Sequence, residues 1–305
     1  VGLLDSIKKM FGGSKGPGGV RKKRLKVVDI AKRFDMRGRT GQGSMSKVFQ
    51  AFDRELGRTV CLKLLDKEKT AVFEGRFKGA NKPSEGEVCM MLRHPNIVQT
   101  FEHGVSTKGE PYLVMEWIDG LGLNFLVETR NPQLIANRFN YLIQLCEALE
   151  YIHNQRFLHR DLCPRNVMIN KEGVLKLIDF GLTIPYRPEF CRPGNRTGTA
   201  DYLPPELIKR QATDHRVDLF ALGVTAFEVF TFALPWERAA SSEETLRRHM
   251  NLPPRQPNEV KPDLPAPICR VLERGVERDR DKRFQTAREF RDALRALAEQ
   301  YEVKT

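Results

Sequence analysis

Two short polar clusters in apolar surroundings limit what this chain can be more than any other feature of it. The first is His159-Arg160-Asp161-Leu162-Cys163-Pro164-Arg165-Asn166, followed by Val167-Met168-Ile169; the second is Asp179-Phe180-Gly181, preceded by Leu175-Lys176-Leu177-Ile178. Two carboxylates and an amide, bracketed by strand-like segments, supply the oxygen donors that a hard divalent cation takes. Magnesium in particular uses one or two carboxylates and completes its shell with substrate phosphates. Either cluster alone would serve equally well in a structural ion-pair network.

Features upstream favour the metal and phosphate reading. Gly41-Gln42-Gly43-Ser44-Met45-Ser46-Lys47-Val48 lies between two candidate strands. Glycines at its first and third positions let backbone N–H groups approach phosphate oxygens, although a plain hairpin turn has the same composition. No Gly-Lys-Ser/Thr follows, so this is not a Walker A loop. Lys63 interrupts the apolar run Val60-Cys61-Leu62-Lys63-Leu64-Leu65. On the buried side of a strand it needs an anionic partner, and on the exposed side it needs none. Glu85, after Pro83, is the candidate partner, with Glu87 as competitor on a different helix face.

The chain of 305 residues is 40% hydrophobic and 30% charged, ordinary for a globular protein with one large or two modest domains. Its net charge of +12 is local: residues 1–40 hold 12 Lys and Arg against 3 Asp and Glu, and the rest of the chain holds 39 against 36. A nucleic-acid surface across the body is therefore not expected. The longest apolar stretch, Leu219 to Leu234, is broken by Thr225, Glu228 and Thr231 and reads as a buried helix, too short and too polar to span a membrane. Six scattered cysteines without a metal-ligand spacing point to reduced thiols and a cytoplasmic location. The start of the chain lacks the pattern of a secretory signal.

Residues 1–26 differ in composition from the rest of the chain. Leu3, Leu4, Ile7, Met10 and Phe11 recur at helical spacing opposite charged residues, a Gly-rich linker runs from Gly12 to Gly19, and Arg21 to Arg24 is a run of cations. A solvated tail, a helix lying on an anionic membrane surface, and a segment docked back on the body all fit this composition. Gly2 and Ser6 also match an N-myristoylation pattern. From about 34 to 118 the pattern is β-prone: Val48 to Phe52, Thr59 to Leu65, Val98 to His103 and Tyr112 to Ile118, with one helix around Glu85 to Leu92. After Asp119 it turns helical. Phe139, Leu142, Ile143, Cys146, Leu149 and Ile152 form one stripe, and Thr286 with Glu289 predicts a capping box at the last helix. The expectation is an α+β chain with a small mostly-β lobe (34–118), a larger helical lobe (119–300) and a boundary near Ile118 to Gly120, the body spanning 27–300 between tails 1–26 and 301–305. No internal repeat is evident.

Over about Phe34 to Glu299 these motifs, in this order, resemble the protein-kinase superfamily, in particular its bacterial-type (Hanks-type) Ser/Thr members. The resemblance implies a two-lobed kinase fold and transfer of the γ-phosphoryl group of ATP, with Mg2+, to a Ser or Thr of a protein substrate. It implies that Gly41 and Gly43 cover the phosphates, that Lys63 holds them, and that Glu85 pairs with Lys63. Met115 takes the gatekeeper position and Glu116 to Ile118 the adenine-binding hinge, with Val48, Cys61 and Met168 as further nucleotide contacts. Asp161 is the implied catalytic carboxylate, and Asn166 and Asp179 are the implied metal ligands. The same resemblance pairs Glu206 with Arg283 in the helical lobe and puts Asp218 and Gly223 at the start of its central helix.

The chain departs from that pattern in places. Cys163 stands where Ser/Thr kinases carry lysine, a loss worth about 1.5–3 kcal/mol of charge-assisted hydrogen bonding, and Arg165 resembles the arginine of tyrosine kinases and can return a positive charge. Pro164 favours the Ser/Thr class. Ser46 replaces the third loop glycine, and Pro204 the usual alanine. Leu182 to Leu203 contains Thr183, Tyr186, Thr197 and Thr199 but no serine, with Asn195 at the usual phosphosite, so loop phosphorylation is not expected to be obligatory. Thr199 is expected to position the catalytic loop. A nucleotide-binding pseudokinase scaffold and a small-molecule kinase are the competing classes.

Overall fold

Alternation along Arg58–Leu65 builds the floor of the small lobe: Val60 and Leu62 are fully buried, and Lys63 is nearly so on the opposite face. The computed structural model describes residues 25–42, 46–77, 79–194 and 196–301. Six strands, β1 (Lys26–Val28), β2 (Phe34–Gln42), β3 (Ser46–Asp53), β4 (Arg58–Leu65), β5 (Thr100–Ser106) and β6 (Pro111–Glu116), form one sheet in the order β1-β5-β6-β4-β3-β2. All neighbours are antiparallel except β1, which lies parallel to β5. Three helices accompany the sheet: α1 (Ile30–Arg33), α2 (Lys67–Gly75) and α3 (Glu85–Met91). Strand β1 and helices α1 and α2 add to the elements the sequence predicts.

A small apolar core of Val28, Phe34, Ala51, Val60, Leu62, Tyr112 and Val114 lies on one side of the sheet. The buried Arg33 guanidinium closes its rim, forked onto Asp53 at 3.0 and 2.7 Å and reaching Glu102 at 2.6 Å. Helix α3 rests on β5 through Gly86, where a Cβ would come within 2.5 Å of the His103 ring. Glycine costs helix stability in a first turn, but close approach to the sheet requires it here.

The larger part is helical: α4 (Leu123–Glu128), α5 (Pro132–Asn154), α6 (Pro205–Ile208), α7 (Arg216–Thr231), α8 (Ser242–Asn251), α9 (Pro257–Val260), α10 (Ala266–Gly275) and α11 (Ala287–Tyr301). The predicted stripe on α5 faces inward, with Cys146, Leu149 and Ile152 fully buried. Helix α7 is apolar on nearly every side and is enclosed accordingly. It touches α10 at Gly223, where a Cβ would stand 2.1 Å from the Gly275 carbonyl. The cap of α11 differs from the expected box: Glu289 N–H donates to Thr286 Oγ1 at 3.0 Å, but the Glu289 carboxylate accepts from Gln285 N–H and from Arg274. Both Glu289 oxygens are thus engaged, and Thr286 N–H donates to neither among the described residues. The two parts together give an α+β, two-lobed architecture with a mostly-β first part and a helical second part.

Arg283 and Glu206, 1% and 6% exposed, meet in a fork of 2.7 and 2.9 Å. Removing one partner strands the other charge in the core, so Glu206→Ala is expected to cost about 3–5 kcal/mol, read as a fall in the urea midpoint at constant m-value.

Candidate active site

Strand register decides the Lys63 question. Lys63 lies opposite Val48 on β3 and Leu113 on β6, 4% exposed, with its ammonium pointing into the space between the lobes. Its Nζ donates to Glu85 Oε1 at 2.6 Å and to Asp179 Oδ1 at 3.0 Å. Glu85 wins over Glu87 because of the helix cap. Ser84 is the N-cap of α3, and Glu87 folds back on Ser84 N–H at 2.8 Å, which turns Glu87 outward and Glu85 inward. Burial acts to lower the Lys63 ammonium, but Asp179 and Glu85 outweigh it and raise it. Burial likewise raises both carboxyls. At Glu85 it prevails, whereas at Asp179 the ammonium and the Gly181 N–H, at 2.9 Å, hold the group low.

Asp161 sits on a loop anchored from below. The α7 residue Asp218 accepts His159 N–H at 2.9 Å and Arg160 N–H at 2.7 Å. Three groups then fix the Asp161 carboxylate: Thr199 N–H and Oγ1 donate to Oδ1 at 2.9 and 2.8 Å, and Asn166 Nδ2 donates to Oδ2 at 3.1 Å. Burial is the largest influence on it and raises its pKa despite these donors. Asn166 ends a single 3-10 turn, Pro164–Asn166, and its carbonyl accepts Ile178 N–H at 3.0 Å, which sets it beside the Asp179 chain.

Beyond Asn166, two short strands, β9 (Val167–Asn170) and β10 (Leu175–Leu177), pair antiparallel, and β9 also pairs with β7 (Gly120–Gly122). β8 (Phe157–Leu158) pairs with β11 (Ile184–Pro185). The segment expected to form the hinge starts at the end of β6: Met115 is buried opposite Cys61, and Glu116 is held by Lys176 at 2.8 Å and Gln99 N–H at 2.7 Å. Cys61 and Met168 pack half-buried on the main core, and Val48 is half-buried opposite Gly41. Gly41 lies in β2, whose last described residue is Gln42, and Gly43 lies outside the described residues, as do Asn195 and residues 1–24 of the predicted tail. Cys163 is buried, its thiol pushed up to about 11 by burial, with Sγ 3.9 Å from Thr199 Oγ1. All six cysteines are free. Arg165 reaches the same hydroxyl with Nη2 at 3.4 Å.

An open cleft gathers Lys63, Glu85, Asp161, Asp179 and Gly181, with Ser46 also in its lining. Thr70, Phe73, Glu74 and Lys82 line its far side, and the sequence does not foretell them, because α2 carries a single buried side chain and shows no periodic stripe. The usable signal is Asp66, which caps α2 by accepting from Glu68 and Lys69 N–H.

The donor set fits a magnesium ion shared with phosphates. Asn166 uses Nδ2 on Asp161, and Asp179 uses Oδ1 on Lys63 and Gly181; among the described residues Asn166 Oδ1 and Asp179 Oδ2 accept no hydrogen bond. No group of three or more His, Cys, Asp and Glu side chains there could hold a metal alone. The ion would therefore need further oxygens from its ligand. At the hinge, the backbone N–H of the buried Ile118 makes no bond among the described residues, which suits an adenine edge.

Because the Thr199 hydroxyl favours ionised Asp161, Thr199→Val is expected to raise the Asp161 pKa further. Carbon-13 NMR titration of the aspartate carboxyls checks this, and an unchanged or lower value contradicts the geometry.

Comparison with known proteins agrees with this arrangement. The protein kinase domain family matches residues 34–295. A probable serine/threonine-protein kinase of Streptomyces coelicolor is 30% identical over 272 residues, 87% of this chain and 40% of that protein. The serine/threonine-protein kinase PknB of Mycolicibacterium smegmatis is 30% identical over 280 residues, 87% of this chain and 43% of its own. The Aurora kinase of Saccharomyces cerevisiae is 31% identical over 241 residues, 78% of this chain and 64% of its own. The chain thus spans about 40% to 64% of the length of these relatives. On this match, and on the ordered ring of Lys63, Glu85, Asp161, Asn166 and Asp179, the chain belongs to the protein kinase family.

Proposed function

We propose that the chain is a Mg-ATP-dependent protein serine/threonine kinase acting on a Ser or Thr hydroxyl of a protein substrate. The observation that carries this reading is the double engagement of Lys63 by Glu85 at 2.6 Å and Asp179 at 3.0 Å, beside an Asp161 carboxylate fixed by Thr199 and Asn166. In this reading Lys63 orients the α- and β-phosphates, and the β2–β3 turn with Gly41 and Gly43 covers them. Ile118 and Glu116 receive adenine between Val48, Cys61, Met115 and Met168. Asn166 and Asp179 hold the metal, which when bound neutralises phosphate charge. Asp161 accepts the proton of the incoming hydroxyl as the oxygen–phosphorus bond forms and the bond from the γ-phosphorus to its bridging oxygen breaks, leaving ADP.

Cys163 brings no charge to this site, and Arg165 supplies a guanidinium on the same Thr199 hydroxyl. The nearness of that cation favours an active enzyme over a pseudokinase scaffold. The domain limits that go with this reading are a kinase body over 27–300, with lobes meeting near Ile118 to Gly120. Residues 1–26, outside the described part up to residue 24, are the candidate contact with an anionic membrane. No helix among the described residues is long and apolar enough to cross a membrane.

Incubation with γ-labelled ATP, magnesium and a generic basic protein is expected to give labelled Ser and Thr. Lys63→Met or Asp161→Asn should remove nearly all of it while leaving the protein folded, and near-normal labelling by both variants contradicts the reading. Cys163→Lys should raise turnover by about ten- to a hundredfold if Arg165 only partly replaces the lysine. The acid limb of kcat against pH should fall above the ordinary aspartate value of about 3.9, because a raised Asp161 must lose its proton before it can accept another. A limb at or below that value contradicts Asp161 as the base.

A further inference from the structure

The activation segment, residues 179 to 206, is joined to the small lobe by an apolar cluster that uses no phosphate. Phe73 of α2, Phe77 just after it, Leu158 of β8, Ile184 of β11, and Phe190 and Cys191 farther along the segment are all buried together. Leu182, Tyr186 and Ala80 pack around them. The rings form a chain: Phe73 meets Phe77 edge-on at 5.5 Å between centroids, and Phe77 meets Phe190 at 5.6 Å. Aromatic pairs at this spacing gain more than their buried area alone provides.

The position of the cluster in the chain matters more than its size. Leu158 immediately precedes the His159-Arg160-Asp161 loop and pairs with Ile184 across the β8–β11 ladder. Leu182 lies three residues beyond Asp179. Phe77 starts the connection to α3, and Lys82 in that connection puts its ammonium over the Phe73 ring at 5.2 Å and onto the Pro83 carbonyl at 3.0 Å. The three pieces that must converge for transfer, the Glu85 helix, Asp161 and Asp179, are therefore each tied within a few residues to one apolar knot. The segment's threonines are meanwhile engaged or enclosed: Thr183 is fully buried, Thr199 serves Asp161, and the Thr197 Oγ1 is buried.

We infer that Phe73, Phe77 and Phe190 are positioning residues, an aromatic clamp that docks the Glu85 helix over Asp179 without phosphorylation of the activation segment. They act through the Lys63–Glu85 pair and touch no reacting atom. A segment held by apolar burial needs no added charge to be ordered, whereas one held by phosphate loses its order when the phosphate is removed.

The test uses the whole chain after phosphatase treatment. Hydrogen–deuterium exchange is expected to show Glu85–Met91 protected in the treated wild type. Phe77→Ala and Phe190→Ala should expose it while Arg216–Thr231 stays protected; Phe77→Leu and Phe190→Leu should restore part of the protection, and they stand in where an alanine variant does not fold. In the transfer assay kcat should fall by about tenfold or more with KM for the protein substrate nearly unchanged. In a Glu85→Gln background the same alanine should change kcat by less than about twofold, because the group it acts through is already lost. Loss of Glu85–Met91 protection on phosphatase treatment, unchanged exchange in both alanine variants, or full additivity with Glu85→Gln would each overturn the clamp. The inference rests on the kinase reading only for its kcat arm. A wild type that transfers no phosphate sinks that reading, and the exchange measurements still decide the clamp.

Discussion

One buried ammonium organises the rest of this molecule. Lys63 occupies the cleft face of a strand whose other face builds the small lobe's core, and its charge is tolerable there only because two carboxylates from distant parts of the chain come to it. Glu85 arrives on a helix pressed against the sheet at Gly86, and Asp179 on the segment that follows β10. Neither lobe satisfies Lys63 fully by itself. The electrostatic cost of burying the lysine is thus the reason that helix, sheet and catalytic segment share one geometry.

The second half of the site depends on a different device. Asp161 is shaped by hydrogen bonds: Asp218 on the central helix holds the two backbone amides before it, and Thr199 and Asn166 fix the orientation of its carboxylate. The helical lobe supplies the rigidity, through α7 enclosed on nearly every side and the Glu206–Arg283 fork that fixes the end of the activation segment. An ion-paired lysine therefore positions the Lys63 side of the cleft, and hydrogen bonds to the Asp218 and Asp161 carboxylates, backed by apolar packing, position the Asp161 side. Cys163 fits this division. Its neighbourhood relies on Thr199 and the flanking Arg165 where a lysine would otherwise stand.

Much of this is legible in the chain because chemistry-bearing residues interrupt apolar runs. Lys63 within five hydrophobic neighbours, and Asp161, Asn166 and Asp179 between strand-like segments, stand out without any coordinates. Strand and helix patterns alone leave Glu85 and Glu87 as rivals, yet Ser84-Glu85-Gly86-Glu87 carries the capping-box spacing that commits Glu87 to the helix cap. β1 escapes notice because it is three residues long, is largely exposed and pairs with a strand far along the chain. α2 escapes because its one buried residue, Phe73, gives no period, and for the same reason the aromatic cluster it joins is invisible. Tertiary contacts among isolated residues leave no pattern in a linear reading.

Calorimetric titration of ATP, with and without magnesium, into the wild type and Asp179→Asn tests the central claim most directly. If Lys63, Glu85 and Asp179 form one cage for a metal-loaded nucleotide, wild-type affinity rises with magnesium and the variant loses that gain while its fold persists. Equal magnesium dependence in both proteins, or no nucleotide binding by the wild type, would contradict the account.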